Sequence, residues 1–529
     1  MEINNTIYKL RTDAKLTQGQ FAEIMGVTQQ SVQKWESGVV SPSIEKIVQM
    51  SNYFDISLDA LILGKDNRVV EEMEKNKKLI PEYQNLHDWE FYSSNLSLEY
   101  IQSIEEGIDI EGYKDLFSSV SRLQKGETKK RLGDVLFDIV LNAKEREGYK
   151  YFEPSSLEAI QNLRRGGDNI LEYNEKELED KLYGAWMGRI CGCMLGKPLE
   201  GIKSNELTTF LKETDNYPMR RYVYRTDLKP EIIDKLGFGF RGREYADEID
   251  GMPVDDDTNY VVLAQELIEK YGKDFCPNDV GKIWLYSQSK NAYCTAERVA
   301  YCNFIKGYSP PQTAIYKNPY REWIGAQIRG DYFGYINPGN PKKAAEMAWR
   351  DASISHVKNG IYGEMFVSAM IAIAFTTNDV MTIIKGGLNE IPKTSRLYEC
   401  INLVIDCFNS GKKFEDAIKL VTDRYDEYSS HGWCHTISNA MIVVASLLYG
   451  KGDFAKSICL SVQVGFDTDC NGATVGSILG VVGGIKSIPE YWQKPINNKL
   501  HTSIFGVGTV NINNCVDKTI KHIKEKNIL

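Results

Sequence analysis

The chain has 529 residues, of which 42% are hydrophobic and 26% charged, and its formal net charge is −9. These proportions are typical of a globular protein, the length predicts more than one domain, and the negative charge argues against a chain that coats nucleic acid generally. The sequence has no apolar run of membrane length and no signal-peptide pattern, which predicts a cytoplasmic protein with no membrane partner. Its 11 cysteines form no C-x-x-C pair, which predicts reduced thiols.

Residues 1–66 predict a module of five short helices. Thr17 is placed to cap a helix over Gln18–Met25, and Thr28 is placed to cap the next helix, over Gln29–Glu36. The tight turn between these two helices, at Gly26, gives the geometry of a helix-turn-helix. The sequence therefore predicts a DNA-binding module at the start of the chain.

A set of spaced residues carries a resemblance to a known family: Arg11, Leu16-Thr17-Gln18, Phe21-Ala22, Gly26-Val27, Trp35-Glu36-Ser37-Gly38, Pro42 and Leu58-Asp59-Ala60-Leu61. The module resembles the phage-repressor helix-turn-helix family of the Cro and lambda-repressor type. The resemblance implies a double-stranded DNA operator whose base edges face Gln29, Gln30 and Gln33. It also implies that Gln18 and Lys34 contact phosphates.

The charge of the module predicts weak DNA binding by a single copy. Residues 1–64 carry 5 Lys+Arg against 7 Asp+Glu, a net charge of −2, so their attraction to phosphate is small. We therefore expect a homodimer, which doubles the contacts. Arg11 is expected to pair with Glu36 inside the module, and Trp35 to lie in its core. A protein-binding role for the module is the alternative.

Residues 67–175 predict a helical linker or dimerisation region, and the sequence does not decide between these roles. Arg68–Lys78 is highly charged and predicts a solvated helix. The stretch Leu132–Leu141 has apolar residues at helical spacing, which predicts an apolar face for pairing two chains. Ser155 and Glu158 have the spacing of a capping box before a further short helix.

Residues 176–529 open with a predicted helix over Glu177–Leu195 that contains glycines at intervals of four. A glycine inside a helix costs about 1 kcal/mol relative to alanine, so a regular glycine series predicts very close packing against another helix. A second series recurs late in the chain. The two series are Gly184, Gly188, Gly192 and Gly196, and then Gly472, Gly476 and Gly480.

Two acidic clusters each precede a predicted helix. Asp255-Asp256-Asp257 precedes a helix over Tyr260–Tyr271, and Asp467 and Asp469 precede the second glycine series. Carboxylates at a helix start are stabilised by the helix dipole alone, which is the simpler interpretation. Two such clusters on closely packed helices also predict a site for hard cations, which prefer oxygen ligands. An EF-hand is excluded, because its twelfth position is Ile478.

Three motifs in this order resemble the ADP-ribosylglycohydrolase family, which includes the dinitrogenase-reductase-activating glycohydrolases. They are the glycine helix with Glu200, then Asp256-Asp257-Thr258, then Asp467-Thr468-Asp469. The resemblance spans residues 178–495. It implies an all-α, orthogonally packed domain that binds two Mg²⁺ or Mn²⁺ ions. It also implies hydrolysis of the bond between C1″ of ADP-ribose and an acceptor on a protein or small molecule.

The resemblance implies four metal ligands, Asp256, Asp257, Asp467 and Asp469. It implies that Glu200 is a flexible acid near the metals. Two positions depart from the family pattern: Asp255 and Cys470 stand where the family often has hydroxyl residues. Because thiols are poor magnesium ligands, we expect Asp255 to ligate as well and Asn471 to replace the lost hydroxyl. We predict that Asp256 or Asp469 orients the attacking water.

Between the clusters, the glycine-rich and aromatic stretch Trp323–Tyr335 predicts a nucleotide-binding loop, with amides for a diphosphate and rings for adenine. It lacks the Tyr-Gly-Asn run of the family's substrate loop. His356 matches a family histidine near the substrate, and a structural histidine is the alternative. The predicted substrate-binding residues are Gly325, Arg329, Tyr332, Tyr335 and His356.

The combined hypothesis is an all-α protein in which a metal-dependent hydrolase, acting on an ADP-ribosylated substrate, is fused to a sequence-specific DNA-binding module. One alternative is a transcription regulator whose C-terminal domain senses ADP-ribose or a related nucleotide without turnover. Another alternative is a hydrolase of a different N-riboside.

Overall fold

The computed structural model describes residues 3–63 and 81–525, and the predicted all-α fold is confirmed. The chain divides into two compact units, Met1–Asn85 and Leu86–Leu529. The helix predicted over Arg68–Lys78 lies outside the described residues. None of the described helices combines the length and apolar character needed to cross a membrane.

The described residues of the first unit form five α-helices, as predicted. They are α1 (Ile3–Asp13), α2 (Gln18–Met25), α3 (Gln29–Glu36), α4 (Ile44–Phe54) and α5 (Leu58–Leu63). Thr17 and Gln20 form a reciprocal capping box at the start of α2, and the Thr28 hydroxyl caps α3. Gly26 ends α2 at a φ of 63°, a left-handed conformation that glycine adopts without strain. The short turn that follows sets α3 as the second helix of the helix-turn-helix.

The second unit contains most of the helices. In chain order they are α6 (Leu96–Glu105), α7 (Lys114–Ser121), α8 (Glu127–Asn142), α9 (Leu157–Leu163), α10 (Leu178–Gly196), α11 (Ser204–Glu213), α12 (Pro230–Ile233), α13 (Asp256–Tyr271), α14 (Pro277–Ser287), α15 (Thr295–Ile305), α16 (Gln312–Ile315), α17 (Asp331–Tyr335), α18 (Pro341–Ala352), α19 (Lys358–Ala374), α20 (Val380–Leu388), α21 (Arg396–Asn409), α22 (Phe414–Thr422), α23 (Ser430–Cys434), α24 (Thr436–Gly450), α25 (Phe454–Val462), α26 (Thr468–Gly483), α27 (Glu490–Gln493) and α28 (Ile512–Lys524).

A small antiparallel sheet joins strands β1 (Lys499–His501) and β2 (Thr509–Asn511), with Leu500 opposite Val510. Short 3₁₀ turns connect many of the helices of the second unit. Those described are Asp88–Glu90, Tyr92–Ser94, Glu111–Tyr113, Glu175–Glu177, Lys197–Leu199, Arg225–Asp227, Lys290–Ala292, Gln327–Arg329, Ile485–Ser487 and Lys494–Ile496. One further 3₁₀ turn, Tyr83–Asn85, lies at the end of the first unit.

The region predicted as a linker is, from Leu86 onward, part of the second unit. Trp89 and Leu98 pack against the large hydrophobic core of this unit. Helical periodicity revealed the helices but not the partner that their apolar faces meet. The predicted capping box is wrong, because the residue at the start of α9 is Ser156 and its side chain caps no backbone amide.

Helix α8 divides its apolar residues between a local core and the surface. Leu136 and Phe137 are buried in a small cluster with Phe117. Val135 and Leu141 are 54% and 53% exposed. With Leu132, which is 38% exposed, they are what remains of the face that the sequence assigned to pairing of two chains.

Helices α10 and α26 pack in backbone contact, which confirms the prediction from the two glycine series. A Cβ atom on Gly188 would lie 2.2 Å from the carbonyl oxygen of Gly476, and one on Gly192 would lie 1.9 Å from that of Gly472. No real Cβ atom could lie so close to a carbonyl oxygen. The two helices can approach this closely because their contacting faces consist of glycines, which have no side chain. This contact fixes the centre of the second unit.

We predict that Gly188→Ala destabilises the second unit by at least about 3 kcal/mol, the upper end of typical overpacking penalties. The added methyl group would meet the backbone carbonyl of Gly476, which cannot move without displacing α26. The matched control is Gly239→Ala, because no atom lies within 4 Å of its added Cβ. Chemical denaturation measures both variants, and equal stabilities would contradict the glycine-contact interpretation.

Candidate active site

A cavity of about 1080 Å³ opens in the second unit. Its acidic cluster, which combines residues distant in the sequence, comprises Glu200, Asp255, Asp256, Asp467 and Asp469. Glu297 also lines the cavity. Lys197 is the single Lys or Arg side chain among the described lining residues. The cavity therefore carries a large excess of carboxylates, which cluster at such proximity only when something compensates their repulsion.

The start of helix α13 positions the first acidic group. Asp255 is the N-cap of this helix, and its Oδ1 accepts a hydrogen bond from the backbone amide of Asp257 at 3.0 Å. Its other oxygen pairs with Nζ of Lys197 at 3.1 Å. The helix predicted from Tyr260 begins earlier, at Asp256, and it ends before Gly272 as predicted. The carboxylates thus belong to the first turn of the helix itself.

A buried arginine that the sequence analysis did not assign to the site holds Asp257. Arg189, on α10, is 1% exposed and donates from Nε to the backbone oxygen of Asp257 at 2.8 Å and from Nη2 to its carboxylate at 3.1 Å. Its Nη1 pairs with Asp331 at 2.9 Å. The sequence held one signal for this role. Arg189 is a lone charge in the middle of an apolar, glycine-rich helix, and such a charge needs a buried partner.

A strained turn positions the second acidic group. Phe466 has a φ of 57°, which is left-handed and uncommon for a bulky residue. Its backbone oxygen accepts a hydrogen bond from Nε1 of Trp433 at 2.7 Å, which holds the turn in place. Asp467 follows as the N-cap of α26, and Asp469 lies in its first turn. The turn thereby presents both carboxylates to the cavity.

The carboxylates of both groups lie within ligand distance of one another. Asp257, Asp469 and Cys470 form one set whose ligand atoms lie within 4.8 Å of each other, and Glu200, Asp467 and Asp469 form another. Burial raises the pKa of Asp256, Asp257 and Asp469 well above the ordinary value, and neighbouring carboxylates raise it further, while Arg189 offsets part of the effect at Asp257. This destabilisation of the charged forms is what a bound cation would remove.

Two buried oxygens support the fit of a divalent cation. Oδ1 of Asp469 and Oδ1 of Asn471 have no hydrogen-bond partner among the described residues. Asn471 does not line the cavity, and its Nδ2 donates to Oδ1 of Asn439 at 2.8 Å. Hard divalent cations take oxygen ligands of this kind, so the residues present suit Mg²⁺ or Mn²⁺. The structure thus brings together the five predicted aspartate ligands and leaves Asn471 beside them.

Glu200 follows the 3₁₀ turn that ends α10 and is exposed to the cavity. Enclosure by the cavity walls, with Asp467 and Asp255 nearby, raises its pKa to about 7. A carboxyl group with this pKa holds a proton for about half of the time near neutral pH, as a general acid must. Glu200 thus lies beside the predicted metal ligands, and its role as a mobile acid stays a prediction.

The predicted nucleotide-binding loop lines the cavity only in its first part. Gly325 faces the cavity, and a Cβ there would lie 2.1 Å from the carboxylate of Glu297. Arg329 does not line the cavity: it is 1% exposed and its guanidinium binds Glu297 at 2.7 Å and also Asp351. The prediction that Arg329 faces a substrate is corrected, because internal carboxylates already occupy its donors.

The remaining predicted substrate residues also turn inward. The hydroxyl of Tyr332 bonds Nδ1 of His522 at 2.6 Å, and that of Tyr335 bonds the Ser477 hydroxyl at 2.7 Å. His356 is buried, bonds Ser355 at 2.8 Å and does not line the cavity. These three predictions are corrected in the same way: Tyr332 and Tyr335 lie on α17, His356 lies between α18 and α19, and all three side chains are buried.

Part of the cavity wall comes from a segment that the sequence analysis placed outside the site. We call it the extension wall, and its members are Trp89, Ser94, Asn95, Ser97, Leu98 and Ile101. Aromatic side chains of later segments, including Tyr320, Trp323 and Trp433, also line the cavity. The wall had no motif by which sequence reasoning could find it, because its residues reach the cavity only through tertiary packing.

In the first unit, helix α3 presents its predicted base-reading residues to solvent. Gln29, Gln30, Gln33 and Lys34 are all exposed, whereas Trp35 is in the core as predicted. The predicted ion pair between Arg11 and Glu36 is present. Gln18, predicted to contact phosphate, donates to Glu36 at 2.8 Å, so one of its donors is already engaged within the unit.

Known proteins similar to the first unit are helix-turn-helix regulators. A family model described as Helix-turn-helix matches residues 7–61. The chain is 33% identical over 87 residues to the HTH-type transcriptional activator BcrR of Enterococcus faecalis, covering 16% of this chain and 43% of that protein. The chain is also 33% identical over 76 residues to the uncharacterized HTH-type transcriptional regulator YqaE of Bacillus subtilis (strain 168), covering 14% of this chain and 66% of that protein. The chain thus spans less than two thirds of either relative.

The second unit has its own match among solved structures and family models. A structure titled ADP-ribosylglycohydrolase-related protein complex aligns with a TM-score of 0.40 and 16% identity, over 66% of this chain and 98% of that one. The family model for ADP-ribosylglycohydrolase matches residues 174–518, which is more than half of the chain. With this match, and with a helix-turn-helix module at its start, the chain belongs to the ADP-ribosylglycohydrolase family.

Proposed function

We propose that the second unit is a metal-dependent hydrolase that removes ADP-ribose from a protein or small-molecule acceptor. The observation that carries this proposal is the acidic cluster, whose carboxylates converge on one cavity of about 1080 Å³. A cavity of this size suits a ligand as large as a nucleotide sugar. Binding alone would not require so many buried carboxylates, because each one costs desolvation energy.

The residues proposed to hold the metal ions are those predicted from the sequence: Asp255, Asp256, Asp257, Asp467, Asp469 and Asn471. Divalent ions bound there would fix the hydroxyls of the ribose and lower the pKa of a bound water. Lys197 holds Asp255 and Arg189 holds Asp257, so two of the ligands are oriented by cations before any metal binds.

The other catalytic roles fall to residues that face the cavity. We assign Glu200 as the group that gives a proton to the leaving acceptor, since it faces the cavity and has a carboxylate oxygen within 4.8 Å of those of Asp467 and Asp469. Asp256 or Asp469 would orient the water and take its proton as C1″ develops positive charge.

The direct test is incubation with ADP-ribosylated arginine, ADP-ribosylated serine and free nucleosides, with and without Mg²⁺ or Mn²⁺, followed by mass spectrometry. Metal-dependent release of ADP-ribose is the expected result. Binding of ADP-ribose without any release would support a nucleotide sensor instead. Cleavage of nucleosides alone would support a hydrolase of another N-riboside.

We predict that the double variant Asp256→Asn and Asp257→Asn abolishes turnover and keeps the fold. The amides relieve the mutual repulsion of the carboxylates but bind divalent cations weakly. In thermal melts, EDTA should lower the Tm of the wild type and leave that of the variant nearly unchanged. The control is Asp115→Asn with Asp138→Asn, two exposed acids outside the cavity. Unchanged turnover in the first variant would contradict the metal site.

We further propose that the first unit binds a specific double-stranded operator, and that the protein does so as a homodimer. The exposed glutamines of α3 support the first part, since Gln pairs bidentately with adenine. The similar proteins are named as transcriptional regulators, which agrees with this role. The net charge of −2 over residues 1–64 supports the second part, because one copy gains little from phosphate contacts.

We predict that Gln29→Ala or Gln33→Ala weakens operator binding by about 1–3 kcal/mol for each lost bidentate contact, with little effect on unrelated DNA. Lys34→Ala should weaken binding to all sequences and lower the salt slope by about 1. Lys9→Ala, an exposed lysine on α1, serves as the control for loss of charge alone. Gel-shift titrations at several salt concentrations measure these effects, after selection of the operator from random DNA. Failure of that selection to enrich any sequence would exclude a specific reader.

A further inference from the structure

The extension wall lies outside the region that matches the ADP-ribosylglycohydrolase family, which begins at residue 174. Its six cavity-lining residues are all uncharged. The acidic cluster, in contrast, lies wholly inside the matched region. The family domain therefore supplies the acidic side chains of the cavity together with uncharged ones such as Trp323 and Trp433, and the segment before it supplies only uncharged ones.

A buried arginine fixes the extension wall to the family domain. Arg321, which is 5% exposed, donates from Nη1 to Glu99 at 2.8 Å and from Nε to Glu106. Glu99 lies on α6 between the wall residues Leu98 and Ile101. Because breaking a buried ion pair leaves an uncompensated charge, the cavity-facing side of α6 cannot shift freely.

A second contact joins the end of α6 to side chains that themselves line the cavity. Nε1 of Trp323 donates to Nδ1 of His431 at 3.3 Å, so the proton of the neutral His431 ring is on Nε2. That nitrogen lies 3.0 Å from the carboxylate of Glu105 and donates to it. Gln102 adds a hydrogen bond of 2.6 Å to Glu322. The wall is thus held at a defined position relative to Trp323 and His431.

Trp89 is fixed at the other end of the wall. The guanidinium of Arg298 lies 5.0 Å from the centre of its ring, and the next residue, Glu90, pairs with Lys290 at 2.6 Å. Arg298 is on α15, whose first residue, Thr295, also lines the cavity. The indole is therefore held against the family domain while it contributes to the cavity surface.

We propose that the extension wall binds an uncharged planar ring of the substrate, a nucleobase, while the acidic cluster takes the ribose that is cleaved. The proposal rests on the proposed function and deepens it. An indole with Leu98 and Ile101 offers stacking and apolar contact, and the Asn95 amide offers donors and an acceptor for a base edge. The wall has no cation for a phosphate and no carboxylate for a guanidinium, so it selects for the ring.

The test measures binding of adenosine, ADP-ribose and ribose 5-phosphate to the full chain by calorimetry in the presence of Mg²⁺. Trp89→Ala should raise the Kd for adenosine and ADP-ribose about tenfold, because a base loses its stacking partner. Ile101→Ala, at a residue 40% exposed, should act in the same direction with little cost to the fold. Trp89→Phe should restore most of the affinity. The matched control is Leu116→Ala, 43% exposed on α7 and outside the cavity.

The affinity for ribose 5-phosphate separates ring recognition from general damage to the cavity. The Kd for ribose 5-phosphate should be the same in all variants, since this ligand has no nucleobase for the wall to bind. An equal loss of affinity for all three ligands would overturn the proposal and give the wall a structural role only. Unchanged Kd values for adenosine would also overturn it. If the protein binds adenosine but hydrolyses no ADP-ribosylated substrate, the result supports nucleobase binding by the extension wall and rejects the hydrolase function.

Discussion

The backbone contact between α10 and α26 is the constraint on which the acidic site depends. The main-chain oxygens of Gly472 and Gly476 occupy the space where side chains of α10 would otherwise stand. Glu200 follows α10, and Asp467 and Asp469 begin α26, so this contact sets the distance between them. Any residue larger than glycine would separate the helices and with them the carboxylates. The glycines therefore act on function through geometry, without touching a ligand.

Clustering the carboxylates has an electrostatic cost that the protein compensates only in part. Lys197 pairs with Asp255 within the cluster, and Arg189 pairs with Asp257 beside it. The remaining acids keep raised pKa values because burial disfavours their charged forms. Such incomplete compensation is typical of sites that complete their charge balance with a cation. It also gives Glu200 a pKa near 7 without a specific partner for its proton.

The cavity shows that the functional unit is larger than the region by which the family is recognised. The first part of the second unit, from Leu86, supplies a wall and is held by the buried ion pairs of Arg321 with Glu99 and Glu106. Buried ion pairs contribute little net stability compared with apolar packing, but they specify one arrangement strongly, because any other leaves a charge unpaired. Their role here is thus to fix the wall against the family domain.

Much of the fold and part of the candidate site could be predicted from the sequence because their signals are local. Thr17, Thr28 and Gly26 define the helix-turn-helix through caps and a turn. The glycine series repeat at a spacing that predicts two closely packed helices, and each acidic cluster lies at the start of a predicted helix. The direction of a side chain is not local. Arg329 and Tyr335 have the composition of a binding loop, yet partners far along the chain draw them into the core. Trp89 reaches the cavity for the same reason, since tertiary packing alone decides which residues of distant segments face one another.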